Sequence, residues 1–186
     1  MSALHTGYRP EKFENIVGQA AAVRALTAVI KSGAERTFLF YGPSGTGKTT
    51  MARITARVLG VGSHEVIEVD AATNTGIDKM REVMEMGRTR AFGKSPKRAL
   101  LIDECHRLSG SAFDSMLKML EEPPAHLVWL LCTTEFRKVP DTIKRRCIKV
   151  PLAAVVDADL RKLLARVVAA ENIKLDRDVQ DVVVRM

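Results

Sequence analysis

The sequence is poor in aromatic residues and in cysteine. Phe, Trp and Tyr make up 5% of the 186 residues, so a core has to be built from Leu, Ile, Val, Ala and Met, and a hydrophobic content of 46% is enough for a sizeable one. There are three cysteines, Cys105, Cys132 and Cys147. The number is odd and none lies near another, which argues against a disulfide framework and against a zinc knuckle. Two of them adjoin apolar strand-like runs, where a small buried thiol is the expected state. The four histidines are scattered, and Cys105-His106 has no second Cys/His pair at ligand spacing. No apolar run reaches membrane-spanning length. Met1-Ser2-Ala3-Leu4-His5 lacks the charged and apolar regions of a secretory leader, so the expected location is cytoplasmic, with no membrane partner. Internal repeats and low-complexity segments are absent.

Positive charge, by contrast, is in excess, with a formal net charge of +7. A basic chain often has a polyanionic partner, but these charges are spread along the chain and solvated helix faces account for most of them.

The most informative stretch is Gly42-Pro43-Ser44-Gly45-Thr46-Gly47-Lys48-Thr49, followed by Thr50. It fits the phosphate-binding P-loop pattern, and its context is the one the chemistry needs. Thr37–Tyr41 is a short β-prone run, and Thr50–Leu59 has helical spacing with Gly60 as a stop. Glycines let backbone N–H groups approach a phosphate, the lysine reaches the β- and γ-phosphates, and the Thr49 hydroxyl ligates Mg²⁺. A chance glycine-rich turn does not come with strand, loop, Gly-Lys-Thr and helix together. The sequence therefore predicts a nucleoside triphosphate site.

After this loop, strands and helices alternate. Strands are predicted at 66–69, 99–102, 127–132 and 148–150 beside the first at 37–41. Helices are predicted at 77–88, from Ser111 to the Pro123-Pro124 stop, and over 141–145. Continuous apolar strands separated by helices mean a parallel sheet covered on both faces, with ligands at the carboxyl ends of its strands. The expected fold class is α/β, a five-stranded parallel sheet over residues 1–152. From Asp157 the pattern is helical only, so 153–186 is expected to begin a small helical domain. Leu160, Leu163, Leu164, Val167 and Val168 form one apolar stripe, and Val179, Val182 and Val183 begin another. Two helices cannot bury both stripes alone.

Further chemistry falls at strand ends. Leu100-Leu101-Ile102 runs into Asp103 and Glu104 about 50 residues after the P-loop, the usual distance for the acidic strand that completes such a site. Asp103 would hold the Mg²⁺ shell and Glu104 would polarise the attacking water. Cys132-Thr133-Thr134 closes the next apolar strand. A hydroxyl there can reach the γ-phosphate, or can simply cap the loop; the residues alone favour neither. Lys144-Arg145-Arg146 at a helix end, taken alone, is a complement to the helix dipole; the sharper reading is an arginine finger for a neighbouring subunit.

These residues resemble one family in combination. Tyr8-Arg9-Pro10, Phe13 and Ile16-Val17-Gly18-Gln19 are similar to the N-terminal box of clamp-loader AAA+ ATPases. Leu101 to Ser109 resembles their I-D-E-x-H-x-L-S stretch. Ala112-Phe113 with Leu117-Lys118-Met119-Leu120-Glu121-Glu122-Pro123-Pro124, then Thr133-Thr134, Lys138-Val139-Pro140 and Arg146-Cys147, resemble the signature of the bacterial gamma/tau subunit of DNA polymerase III. The resemblance runs in order over about residues 8–185. It implies an AAA+ P-loop fold with a helical lid. It implies an ATP hydrolase with ATP and Mg²⁺ as cofactors, with Lys48, Glu104, Thr134 (sensor 1) and Arg146 (a finger acting in trans) as catalytic residues. Tyr8, Arg9 and Val17 would lie against the adenine, and Lys118 and Asn74-Thr75-Gly76 would face DNA. The implied partners are other clamp-loader subunits in a ring-like pentamer, a sliding clamp and primer–template DNA.

Departures from the pattern are informative. Arg145 replaces the serine of S-R-C. The four-cysteine zinc module of gamma/tau subunits has no counterpart in the short interval 58–66, so no zinc is expected. The sensor-2 motif and collar domain that would follow Arg185 are not in the sequence, so the chain is expected to be a fragment or a minimal protein. A Holliday-junction branch-migration AAA+ motor shares the R-P, G-Q, P-loop and acidic-strand features, but lacks L-E-E-P-P and R-C. A DExH helicase would need a second RecA-like domain that 186 residues cannot hold. A purely structural nucleotide-binding subunit would not need Lys48, Asp103, Glu104 and Arg146 together.

Overall fold

The computed structural model describes residues 7–33, 36–73, 76–90 and 97–185. At its centre is the apolar run that precedes the glycine-rich loop. Thr37–Tyr41 forms strand β1, which leads through the loop into helix α2, Lys48–Val58. Before it lies helix α1, Ala20–Ser32, ended by Gly33 in the left-handed region. After α2 come β2 (Val61–Asp70), α3 (Ile77–Arg88), β3 (Lys97–Asp103), α4 (Gly110–Glu121), β4 (Leu127–Thr133), the short α5 (Asp141–Lys144) and β5 (Ile148–Pro151). Helices α6 (Asp157–Ala170) and α7 (Arg177–Arg185) complete the described chain.

The five strands form one sheet in the order β2-β3-β4-β1-β5, and every pairing is parallel. The chain leaves β1 toward one edge, returns strand by strand to β4 at its side, and crosses to β5 on the other. β1 is thus the switch point of the sheet, where ligands of open α/β folds bind. All seven residues of β4 are buried, because helices cover both faces. Leu39, Leu100, Ile102, Trp129 and Leu131 pack with α3 and α4 on one side. The alternate residues Phe38, Phe40, Leu101, Leu130 and Cys132 pack with Leu26 of α1 and Met51 and Ala52 of α2 on the other. The two-residue alternation of side chains along a strand divides one apolar run between two cores. Burial also pushes the thiols of Cys105 and Cys132 well above the ordinary range and that of Cys147 up to about 12, so all three stay protonated and unreactive.

Three elements differ from the sequence reading. Helix α1 is absent from it; the run 20–32 is apolar, with Ala22 and Leu26 buried and Val23, Val29 and Ile30 packed against the same core. Helix α4 starts before Ser111: Ser109 is the N-cap, and its hydroxyl accepts from Ala112 N at 3.2 Å. Strand β2 begins at Val61, pairing with Lys97 before a register shift leads to Val66 opposite Ala99. Polar Ser63 and His64 in the shifted stretch are exposed, so hydropathy alone does not reveal a strand there. Residues 74–75 of the turn expected to face DNA, and 91–96 before β3, lie outside the described residues.

In α6 the stripe Leu160, Leu163, Leu164, Val167 and Val168 is half-buried, while Val179, Val182 and Val183 of α7 stay exposed. Among the described residues no helix is long and apolar enough to cross a membrane.

The end of the sheet away from the P-loop is held by a buried cation. Arg98 donates to Glu65 Oε2 at 2.8 Å, to the α3 carbonyl of Met86 at 2.6 Å and to Thr89 Oγ1 at 2.7 Å. One guanidinium thereby pairs a carboxylate on β2 and satisfies the open carbonyl end of α3, where a positive charge is favoured. The paired side chains are 11% and 13% exposed. Arg98→Ala is expected to lower stability by about 3–5 kcal/mol, because it removes one half of a buried ion pair and the cation at the helix end. Urea unfolding read by circular dichroism would check this.

Candidate nucleotide site

The P-loop is held open by backbone packing. Gly42 has φ 151°, and a Cβ on it would sit 2.1 Å from the carbonyl oxygen of Leu152, so no other residue fits where β1 turns into the loop. Gly47 is the N-cap of α2, in the left-handed region, and having no side chain it makes no side-chain cap to the helix's first N–H groups. A helix N-terminus without a side-chain cap is a ready anion site. Lys48 is 7% exposed. Its ammonium donates to Gly42 O at 3.1 Å and Pro43 O at 2.8 Å. The loop thus presents a buried cation together with orphan N–H donors, which fits a polyphosphate.

The acidic strand end meets this loop. Thr49 Oγ1 donates to Asp103 Oδ2 at 2.7 Å, and Asp103 Oδ1 accepts from Glu104 N at 2.9 Å. A hydroxyl and a carboxylate in contact beside a phosphate cradle suit Mg²⁺, which takes one or two protein ligands and completes its shell with water and phosphate. Glu104 has φ 45°, a strained conformation for a residue with a side chain and one that concentrates at functional sites. Its Oε2 accepts from Thr134 N at 3.2 Å and Thr134 Oγ1 at 2.9 Å, and lies 3.2 Å from His106 Nδ1. The same ring nitrogen is 3.0 Å from Thr133 Oγ1, and its Nε2 is 3.3 Å from Glu135 Oε1. The Lys138 ammonium holds the Glu135 carboxyl below its usual range, with His106 adding to the effect. The two threonines that the sequence left open therefore divide the roles. Thr133 is fully buried and accepts from Glu135 N at 3.0 Å, capping the loop, whereas Thr134 grips Glu104.

A cavity of about 710 Å³ joins these groups to the N-terminal segment and to α6. Tyr8, Arg9 and Val17 line it, as do Ser44 to Thr50, Asp103 and Glu104. Its apolar wall is completed by Val155 and by Leu160, Leu163 and Val167 of α6. Those α6 residues were legible as a stripe, but not as the wall of a site. Tyr8 Oη donates to Glu171 Oε1 at 2.6 Å, which ties the N-terminal segment to the end of α6 and raises the phenol's pKa.

Thr134 and Arg146 do not line this cavity; Thr134 reaches it through Glu104. Arg146 lies apart, just after α5. It donates to Thr142 O at 2.6 Å and forms an ion pair with Glu121 at the end of α4, and its Nε is buried with no partner among the described residues. Phe136 stacks on Tyr41 with centroids 4.2 Å apart, and the Lys144 ammonium sits 4.8 Å from the Phe136 ring centroid. These contacts fix α5 against the tip of β1.

Residues 62–155, just over half of the chain, match the family described as DNA polymerase III, delta subunit. The chain belongs to this DNA polymerase III family. Its relatives carry gamma and tau names. It is 36% identical to DNA polymerase III subunit gamma/tau of Mycobacterium bovis over 98% of its own length and 36% of that protein's. It is 33% identical to subunit tau of Bacillus subtilis over 94% of the chain and 35% of that protein. Against subunit gamma of Buchnera aphidicola (strain Bp) the identity is 33%, over 89% of the chain and 50% of that protein. The chain thus spans about a third to a half of the curated relatives it matches. Among solved structures, the Thermotoga maritima RuvB Holliday-junction branch-migration motor superimposes with TM-score 0.76 at 19% identity, over 91% of this chain and 56% of that one. A DNA polymerase III gamma-subunit-related protein from the same organism gives TM-score 0.64 at 22% identity, over 75% and 48%. These likenesses establish the AAA+ fold, and the DNA polymerase III kinship implied by the motifs is found.

Lys48→Ala is expected to weaken Mg·ATP binding about 10- to 100-fold, the scale of a lost charge-assisted hydrogen bond. Titration calorimetry would read it, with circular dichroism reporting an intact fold.

Proposed function

We propose that this chain is the ATPase core of a clamp-loader subunit, binding ATP and Mg²⁺ and hydrolysing ATP to load a sliding clamp on primed DNA. The observation that carries the reading is the convergence of Lys48, Thr49, Asp103 and Glu104 on one cavity whose other wall is apolar. Residues 1–152 would be the ATPase core and 153–186 the beginning of its lid. Lys48 and the N–H groups of residues 45–49 would hold the phosphates, with Gly42 and Pro43 shaping the loop. Thr49 and Asp103 would hold Mg²⁺, which when bound supplies charge neutralisation between the phosphates. Tyr8, Arg9, Val17 and the α6 wall would enclose the adenine. Glu104 would orient and polarise the attacking water, and Thr134 would set the position of its carboxylate.

Arg146 stands outside its own chain's cavity, which supports a role at the nucleotide of a neighbouring subunit. The partners would be other clamp-loader subunits in a ring-like pentamer, the clamp and primer–template DNA, at a cytoplasmic location and without zinc. The branch-migration motor shares the fold, but sequence kinship favours the polymerase subunits, as do Leu120-Glu121-Glu122-Pro123-Pro124 and Arg146-Cys147.

Glu104→Gln is expected to keep Mg·ATP affinity and to lower turnover about 10²- to 10⁴-fold, since water activation alone is removed. Phosphate release would check it, and unchanged turnover would sink the assignment. In an assembly reconstituted with the other subunits, Arg146→Ala should leave each subunit's own ATP binding intact. It should cut hydrolysis at the adjacent site, where a finger is worth about 10³–10⁵. An unaltered rate would return Arg146 to its contact with Glu121.

A further inference from the structure

Gln19 is 4% exposed and stands at the N-cap of α1, yet its side chain does not cap that helix. Instead it reaches 134 positions along the chain. Its Nε2 donates to Ala153 O at 2.7 Å and its Oε1 accepts from Ala153 N at 3.2 Å. This pair of bonds copies a strand pairing and fixes the amide's orientation, because a flipped amide would set donor against donor. The same Nε2 lies 3.3 Å from Thr46 O, in the middle of the P-loop. A buried amide with three backbone partners is an expensive group to misplace.

Ala153 belongs to the connector between β5 and α6, and other contacts grip that connector from the same side. Leu152 N donates to Tyr41 O at 2.8 Å, and Leu152 O occupies the space that a Cβ on Gly42 would need. A Cβ on Gly18, whose φ is 75°, would come 2.9 Å from Val155 Cγ1. The connector is therefore registered against the P-loop, and Gln19 bonds to both. Helix α6, which begins four residues after Ala153, carries the apolar wall of the cavity.

We infer that Gln19 is a positioning residue that registers α6 to the P-loop. Its amide carries the position of the Thr46 carbonyl to the connector at Ala153 and thereby sets how the helix pair closes over the cavity. The inference rests on the nucleotide reading for what moves the loop. The registration itself does not need a nucleotide.

The test uses the full chain with nitroxide labels at Asp114→Cys on α4 and Ala165→Cys on α6, both exposed positions, and pulsed electron resonance to read their distance distribution. Gln19→Leu removes all three bonds at similar volume, and Gln19→Glu keeps an acceptor for Ala153 N while setting a carboxylate against two carbonyls. Without nucleotide, the wild type is expected to give one narrow distance. In both variants the ratio of that distance to all others should fall about fivefold, the factor of one typical buried hydrogen bond. A residue with a merely structural role would lower the melting temperature but leave the distribution below melting unchanged. If both variants keep the wild-type width, the inference is wrong. A second arm adds Mg²⁺ and a non-hydrolysable ATP analogue. Failure of the analogue to bind the wild type would refute the nucleotide reading, and the nucleotide-free comparison would still decide the role of Gln19. Binding with a distance shift in the wild type and less than half that shift in the variants supports both.

Discussion

The hydrogen bond from Thr49 to Asp103, 2.7 Å long and spanning 54 residues, joins the glycine-rich loop proposed to hold phosphate to the strand that ends in the acid. It can form because β1 and β3 flank β4 in a parallel sheet, so three carboxyl ends open on one edge. Every other part of the site is arranged around that edge. β4 delivers Thr134 to Glu104, β5 delivers the connector, and the two cores on either face leave the strands no freedom to slide. A one-residue slip of β3 would turn Leu100 and Ile102 into the wrong core and carry Asp103 away from Thr49. Packing of apolar side chains and placement of the acid are thus the same constraint.

Much of this was legible in the residues because the chemistry has strict local requirements. A P-loop needs glycines and a lysine at set intervals, and an acidic strand end needs an apolar run before it, so both could be placed without a fold. The continuous apolar strands likewise required cover on both faces. What was not legible depends on contacts between distant segments. Gln19 was visible as part of a motif, but nothing local says that its amide crosses to Ala153. Leu160, Leu163 and Val167 were visible as a stripe that needed a partner, and the partner is a cavity. The first half of β2 is hidden for a simpler reason. It belongs to an edge strand with polar residues, so hydropathy carries little of its signal.

Arg146 shows the limit from the other side. A basic residue at a helix end can complement a dipole, pair an acid or serve a neighbour. Here it does two of these within its own chain, through Thr142 and Glu121. To reach a neighbouring subunit's phosphate it would exchange the Glu121 carboxylate for a more highly charged partner, a replacement of one charge-assisted contact by another of the same kind.

The most direct test of the account is a crystal structure of the chain with Mg²⁺ and a non-hydrolysable ATP analogue. The expected result has the phosphates on the N–H groups of residues 45–49 and the Lys48 ammonium turned from Gly42 O and Pro43 O to the phosphate oxygens. The metal should be bonded to Thr49 Oγ1 beside Asp103, and the base should lie between the N-terminal segment and α6. A nucleotide bound elsewhere, or phosphates that leave Lys48 on the two carbonyls and the metal away from Thr49, would contradict it.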